Sequence, residues 1–214
     1  MWIKIWNAFV KITAWPVQFL AFRTRVYYED RSAQGRRIKG PAIIVSNHTS
    51  VFDYAVYLFV FFSRTLRFQM AEILFQRKIL GLFLKWMGGI YIDRNVHDVG
   101  AVARSQNVLE KGGVVGVFPE GRLPLKGEER PLPFKTGAAF LALSSGVPII
   151  PVYTNGSYFN KKRARVIIGR PVFAEDLADK SLSDKEKIVA VSEALRDCIV
   201  RLGELLDAES NKAV

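Results

Sequence analysis

Short runs of β-branched and aliphatic residues recur along this chain, bounded by turn residues and separated by segments of helical period. Pro41-Ala-Ile-Ile-Val-Ser46, Val114 to Phe118, Val147 to Tyr153 and Ala164 to Ile168 read as buried strands, and Arg25 to Glu29, Leu66 to Met70 and Ile90 to Ile92 as three more. Residues 51–62, 75–87, 98–111 and 136–144 read as helices, and a final helix starts at Ser183, with Glu186 in capping-box register, and runs to about Leu206. Strands alternating with helices predict an α/β fold, a central, largely parallel mixed sheet flanked by helices. Residues 119–135, with four prolines, read as one long irregular loop, and loops of that length in a small domain are usually functional.

No stretch of the 214 residues is rich enough in Pro, Gly and Ser to be a linker, and half of the residues are apolar, which excludes global disorder. The expected division is an N-terminal helical element over 1–24 and one folded domain over 25–214. A single Cys198 makes no internal disulfide, and with only His48 and His97 beside it there is no four-ligand zinc set. The net charge of +11 is unevenly placed: residues 171–214 carry −4, so residues 1–170 carry +15, and the first forty alone carry +6. Such a field attracts nucleic acid, anionic membrane or phosphorylated substrates, and motifs must choose among them.

The longest charge-free apolar runs, Tyr54 to Ser63 and Ile12 to Phe22, fall short of the roughly 20 residues a spanning helix needs. Phe19-Leu-Ala-Phe-Arg-Thr-Arg25 offers bulky and basic residues where a signal peptide needs small ones. The expected location is the cytoplasmic face of the cell membrane, peripheral or monotopic. Between Trp2 and Phe22 the polar residues Lys4, Asn7, Lys11 and Gln18 form a narrow stripe on an otherwise apolar helix, which Pro16 should break in two. Such a helix either docks on the core or lies in a bilayer surface. Trp2, Trp6 and Trp15 beside lysines favour the second, because amphipathic rings with cations suit the boundary of headgroups and chains.

Several chemistries lack their signatures. There is no G-x-S-x-G elbow and no phosphate-binding G-x-x-x-x-G-K-[ST] loop, and Gly112-Gly-Val-Val-Gly116 precedes a strand where a dinucleotide fingerprint follows one. What remains sits at strand ends, where open α/β sheets place their binding crevice. Ser46-Asn-His-Thr-Ser-Val-Phe-Asp53 follows a strand and enters a helix. If His48 lies in the turn and Asp53 in the first helical turn, the carboxylate reaches one ring nitrogen and leaves the other as a general base. The same residues also fit a capping box, Ser50-x-x-Asp53, beside a structural histidine. Val117-Phe-Pro-Glu-Gly-Arg122 brings a carboxylate and a guanidinium suited to phosphate, or a plain surface ion pair, and Asp93-Arg94 is a third strand-end arginine.

In their order these segments resemble the four motifs of the lysophosphatidic acid acyltransferase family, the 1-acylglycerol-3-phosphate O-acyltransferases among the glycerolipid acyltransferases. Asn47-His-Thr-Ser-Val-Phe-Asp53 is similar to the first, H-x-x-x-x-D, Gly88-Gly-Ile-Tyr-Ile-Asp-Arg94 to the second, Phe118-Pro-Glu-Gly121 to the third and Val147-Pro-Ile-Ile-Pro151 to the fourth. The resemblance implies that His48 deprotonates an acceptor hydroxyl while Asp53 orients it. It further implies that Arg94, Glu120, Gly121 and Arg122 hold the glycerol phosphate of a lysophospholipid, and that Pro151 shapes the side of the acyl donor, acyl-CoA or acyl-carrier protein. Phosphatidic acid is the implied product, with no metal, no cofactor and no nucleic acid involved, on an anionic membrane surface bound by the N-terminal helical element. Two departures stand out: Arg122 follows Gly121 directly where the family continues Gly-Thr-Arg, leaving Lys126, Arg130 and Lys135 as substitutes, and Glu72 stands where many relatives carry lysine. The alternative class is a non-catalytic binder of anionic lipid or nucleic acid. His48 and Asp53 are expected at the mouth of the sheet with little core contact, so that replacing either leaves the fold intact.

Overall fold

A computed structural model describes residues 2–93, 98–159 and 163–211. Its described strands are β1 (Arg25–Tyr28), β2 (Ala42–Ser46), β3 (Leu66–Ala71), β4 (Ile90–Ile92), β5 (Val114–Val117), β6 (Ile149–Thr154) and β7 (Arg165–Ile168). They form one seven-stranded sheet in the order β1-β7-β6-β2-β5-β3-β4, with every pair parallel except β6 and β7. The central strand β2 is wholly buried, and its side chains alternate between two cores as a pleated strand requires. Ile44 faces a layer holding α3 (Asp53–Val60), while Ile43 and Val45 face one holding α6 (Val99–Glu110), α7 (Gly137–Ser145) and α8 (Asp184–Asn211). The mixed α/β architecture expected from the sequence is therefore present.

Two boundaries differ from expectation. The segment 75–87 is not one helix: α4 (Glu72–Gln76) and α5 (Lys78–Met87) are parted at Arg77, whose backbone is extended. The two pack so closely that a Cβ on Gly81 would lie 2.2 Å from the Phe75 carbonyl oxygen, which explains the glycine. Helix α8 begins as expected, with the Ser183 N–H donating to Glu186 Oε2 at 2.9 Å, but it continues to Asn211.

Topology decides where the chain ends meet. The C-terminal ends of β2, β5, β3, β4 and β6 share one edge of the sheet. Because β7 runs against β6 and β1 runs with β7, strand β1 begins at that same edge. Whatever precedes Arg25 is thus delivered to the edge where β2 ends at Ser46.

What precedes it is α1 (Trp2–Thr13) and α2 (Trp15–Ala21), broken at Ala14 with Pro16 in the first turn of α2, as the sequence predicts. Their apolar arc faces outward and their polar stripe inward, although Trp6, expected with Trp2 and Trp15 at the surface, is half-buried against the core. Asn7, Lys11 and Gln18 of the polar stripe are buried, with only Lys4 exposed, while Trp2, Ile5, Phe9, Ile12, Trp15, Val17, Phe19 and Leu20 face outward. The reason is an electrostatic demand from neighbouring chain ends, whose carbonyls lack intrahelical partners. Asn7 Nδ2 donates to the Met87 carbonyl at the end of α5 (3.0 Å), and Lys11 Nζ to the carbonyls of Phe62 (3.0 Å) and Arg64 (2.6 Å) beyond α3. Trp86 joins the two apolar surfaces: its ring lies 4.9 Å from that of Trp6 and 6.4 Å from that of Trp2, and Ile79, Leu80 and Leu82 of α5 are exposed alongside.

Replacing Lys11 by Met should lower the unfolding free energy by about 1–3 kcal/mol, because two carbonyls lose their donor. Burial lowers the Lys11 ammonium from 10.5 to about 8. Between those pH values the unfolded chain binds the extra proton, so the wild type should gain stability as pH rises through that window, and the Met variant should not. Urea denaturation at pH 7.5, 9 and 10 measures both effects.

Candidate active site

Strand β2 ends at Ser46, and the next residue ties two strand ends together: Asn47 Nδ2 donates to the Thr154 carbonyl and Asn47 Oδ1 accepts from the Thr154 N–H, both at 2.9 Å. That clamp fixes where the following turn begins. His48 then sits with its ring against Phe118 from the end of β5, centroids 4.2 Å apart and planes 13° from parallel. Behind Phe118 stands Phe68 of β3, 5.0 Å away, and Phe68 lies across Gly116, where a Cβ would come within 2.4 Å of its ring. A glycine in the middle of β5 therefore makes the room in which the aromatic stack supporting His48 is built.

Asp53 opens α3 and is completely buried. Oδ2 accepts from His48 Nδ1 (2.9 Å), Thr49 N (2.7 Å) and Ser50 N (2.9 Å). Oδ1 accepts from Thr49 Oγ1 (2.9 Å) and Tyr158 OH (2.6 Å). Surrounded by donors, the carboxylate is an acceptor towards the imidazole too, which puts the histidine proton on Nδ1 and leaves Nε2 with its lone pair. Among the described residues Nε2 has no hydrogen-bond partner, and the His48 side chain is 21% exposed. The capping box does not form, since the cap position is Phe52 and Ser50 Oγ accepts from Phe52 N; Asp53, the first helical residue, satisfies the turn amides and holds the ring. The expectation that Asp53 has little core contact is overturned by its burial beneath five hydrogen bonds.

Glu120 is buried, and its two oxygens accept from the His48 N–H (2.7 Å) and the Leu132 N–H (3.0 Å), one backbone donor each. Burial raises its pKa, with the two backbone donors opposing. Glu120 braces the His48 turn against the long loop, because both segments leave an amide in need of an acceptor. Arg122 is turned elsewhere: after Gly121, whose φ of +71° reverses the chain, its guanidinium makes a bidentate pair with Glu128, both contacts 2.7 Å, on the exposed loop. Pro151 lies inside the sheet, opposite Val45, and does not line the cleft described next. Its missing N–H falls where β7 gives way to Gly169, whose N–H donates to the Pro151 carbonyl (2.8 Å). Arg94 and His97 fall outside the described residues.

A cleft of about 470 Å³ opens along the C-terminal ends of β3, β4 and β5, lined among others by Glu72, Ile73, Asp93, Gly121 and Lys135. Of the three cations proposed to substitute for Arg122, Lys135 is the one in the lining, its stem packed at Gly121. Glu72 faces the same cleft.

Sequence reasoning missed Tyr158, Thr49 and Asn47. Tyr158 reaches Asp53 from 105 residues away, its hydroxyl pKa driven up by burial and by the carboxylate beside it. The one signal for it was position, a tyrosine in the turn directly after a buried strand at the site edge.

The family model described as Acyltransferase matches residues 23–155. A 1-acyl-sn-glycerol-3-phosphate acyltransferase of Bacillus subtilis (strain 168) is 32% identical over 139 residues, covering 63% of this chain and 67% of that protein. The human 1-acyl-sn-glycerol-3-phosphate acyltransferase beta is 28% identical over 159 residues, covering 72% of this chain and 56% of its own length. The chain therefore spans between about half and two thirds of these two relatives. The crystal structure of the 1-acyl-sn-glycerophosphate (LPA) acyltransferase PlsC from Thermotoga maritima superposes with a TM-score of 0.62 at 25% identity, covering 94% of this chain and 79% of that one.

Glu120→Gln turns one acceptor oxygen into a donor facing a backbone N–H. It should cost about 1–3 kcal/mol of stability even though size and shape are kept, and chemical denaturation of the variant beside wild type measures it.

Proposed function

The chain belongs to the acyltransferase family, and from that premise we propose that it moves a fatty acyl group from an acyl thioester, carried by coenzyme A or acyl-carrier protein, to the free hydroxyl of a lysophospholipid. The acceptor proposed first is 1-acyl-sn-glycerol-3-phosphate, giving phosphatidic acid. The observation that carries this reading is the His48 ring, held by Asp53 through Nδ1 with Nε2 unengaged, just past the end of β2 on the sheet edge along which the cleft opens.

In this reading Nε2 takes the proton of the acceptor hydroxyl as its oxygen attacks the thioester carbonyl. The tetrahedral adduct collapses, the C–S bond breaks, and the imidazolium returns its proton to the departing thiolate. Thioesters are activated already, so one positioned base worth ~10²–10⁴-fold together with orientation is sufficient chemistry. Asp53 stabilises the imidazolium without being consumed, and the Phe118 ring keeps the imidazole in its plane. Lys135, with Gly121 at the cleft wall and Arg94 following β4, is the proposed seat for the acceptor phosphate. Glu72 in the same lining sets this chain's headgroup preference apart from that of relatives with a lysine there.

The proposed setting is a bilayer surface, bound through the N-terminal element over residues 1–24, with residues 25–214 as the acyltransferase domain. Support comes from the outward apolar arc of α1 and α2, continued by Ile79, Leu82 and Trp86, since an exposed surface of this kind marks an interaction site. No helix among the described residues is long and apolar enough to cross a membrane. The topology supports the same placement, because α2 feeds into β1 at the edge where His48 stands, so a lipid acceptor meets anchor and base at one surface. Arg165 and Arg170, basic residues that could attract nucleic acid, are instead paired with Asp207 (3.5 Å) and Asp30 (3.2 Å).

A thiol-release assay with acyl-CoA or acyl-carrier protein and a panel of lysophospholipids tests the reaction; absence of release with every acceptor would leave a non-catalytic lipid binder. His48→Ala should reduce kcat by ~10²–10⁴-fold, far more than the loss of one donor to Asp53 lowers its melting midpoint. Tyr158→Phe should reduce kcat about tenfold, the worth of one hydrogen bond to a charged group, with little change in KM. Phe9→Gln with Phe19→Gln should lower vesicle binding without shifting the melting midpoint, since both rings are exposed. A falling midpoint with vesicle binding retained would instead mean that the arc is covered by protein.

A further inference from the structure

A second cavity of about 400 Å³ lies between α2, the edge strand β1 and the C-terminal end of α3. Its lining joins three guanidiniums, Arg23, Arg36 and Arg163, to apolar walls that include Trp15, Phe19 and Phe59, and no carboxylate is among its lining residues. Arg36 is anchored, its Nε donating to the Val60 carbonyl (2.8 Å) and its Nη2 to that of Phe59 (2.7 Å) at the end of α3. Arg23 and Arg163 make no ion pair among the described residues.

The backbone at Arg23 is a second, independent observation. Its φ of +48° lies in the left-handed region, at the position just past the end of α2 where helices favour glycine. An arginine there costs backbone energy that glycine would not, and its guanidinium is what the chain gains. Two guanidiniums without ion pairs and a third anchored beside them, at an apolar cavity, fit an oxyanion with a greasy body, and the cavity lies beside the outward arc of α2, where Trp15, Phe19 and Leu20 are exposed. A nucleotide or free phosphate would have no use for that arc.

We propose that this cavity binds the phosphate of a membrane lipid, with the lipid chain running out along Trp15, Phe19 and Leu20. It is separate from the acceptor cleft: Phe22, packed 5.5 Å from Tyr158 and 5.0 Å from Phe159, stands between Arg23 and the Asp53 network. The bound lipid is thus a docking partner that fixes α2 and the sheet edge at the bilayer. The proposal rests on the placement of α1 and α2 at a lipid surface.

The test uses the full chain and the double variant Arg23→Gly, Arg163→Gln. Glycine at residue 23 relieves the left-handed backbone, so the melting midpoint should hold or rise. Sedimentation with neutral phosphatidylcholine vesicles reports the apolar arc, and vesicles doped with phosphatidic acid report the added anionic recognition. The double variant should keep neutral binding and lose about tenfold of the affinity for doped vesicles, whereas Arg37→Gln with Lys39→Gln, an equal charge change on the neighbouring loop, should lose much less. Equal losses in the two double variants would mean diffuse charge and overturn the proposal. Displacement from doped vesicles by soluble dihexanoyl phosphatidic acid is expected; equal displacement by inorganic phosphate, or by coenzyme A, would overturn it in favour of a free anion or a nucleotide. Failure to bind neutral vesicles would refute the membrane placement alone, and saturable binding of dihexanoyl phosphatidic acid, lost in the double variant, would still decide the cavity.

Discussion

A carboxylate sealed from water is tolerated only when its oxygens are hydrogen-bonded on every side, and Asp53 is such a group at the centre of this protein. Meeting its demand recruits the His48 ring, two turn amides, the Thr49 hydroxyl and a tyrosine from beyond β6. The order of events in structural terms runs outward from it. The turn 48–50 folds back because its amides need Oδ2, Tyr158 is drawn inward because Oδ1 remains, and the imidazole is left with one orientation. Glu120 repeats the device one strand away, joining the same turn to the loop that contains Leu132. Two buried carboxylates therefore rivet the ends of β2, β5 and β6 into one surface, and the clamp of Asn47 on Thr154 completes it.

The two flanks of that surface are built from contrary materials. On the side of β5, support is apolar: Gly116 admits Phe68, which backs Phe118, which backs His48. On the side of β6 it is polar, a chain from Thr154 through the Tyr158 hydroxyl to Asp53. A ring pressed by an aromatic plane and steered by hydrogen bonds keeps its tilt through contact and its rotation through charge. Neither restraint alone would fix both.

Much of the fold was legible because buried strands in an α/β sheet announce themselves as β-branched runs, and 42–46, 114–117 and 149–154 all do. The pairing of His48 with Asp53 was legible from spacing, and more securely from resemblance. Tyr158 was not, since nothing local marks a residue whose partner is 105 positions away. The bracing contacts of Glu120 were not legible, because a motif shows residue type but not which backbone amides lack acceptors. Nor was the pairing of Arg122, since the left-handed turn at Gly121 sends the following side chain towards Glu128. In the N-terminal helices the polar stripe was visible and its partners were not. Carbonyls at Met87, Phe62 and Arg64, far along the chain, decided that Asn7 and Lys11 point inward.

With the stripe turned inward, the apolar arc is what the folded chain presents to its surroundings. Most helices on a globular body hide their grease by the act of docking, but α1 and α2, seated through Trp6, Val10 and Ala14 as well as the Asn7 and Lys11 donors, finish folding with much of their grease still outside. Folding to completion therefore does not make this molecule at ease in water. A concentrated lipid-free preparation should cluster through the unclaimed face, and a turnover rate recorded in such a preparation would belong to the clusters.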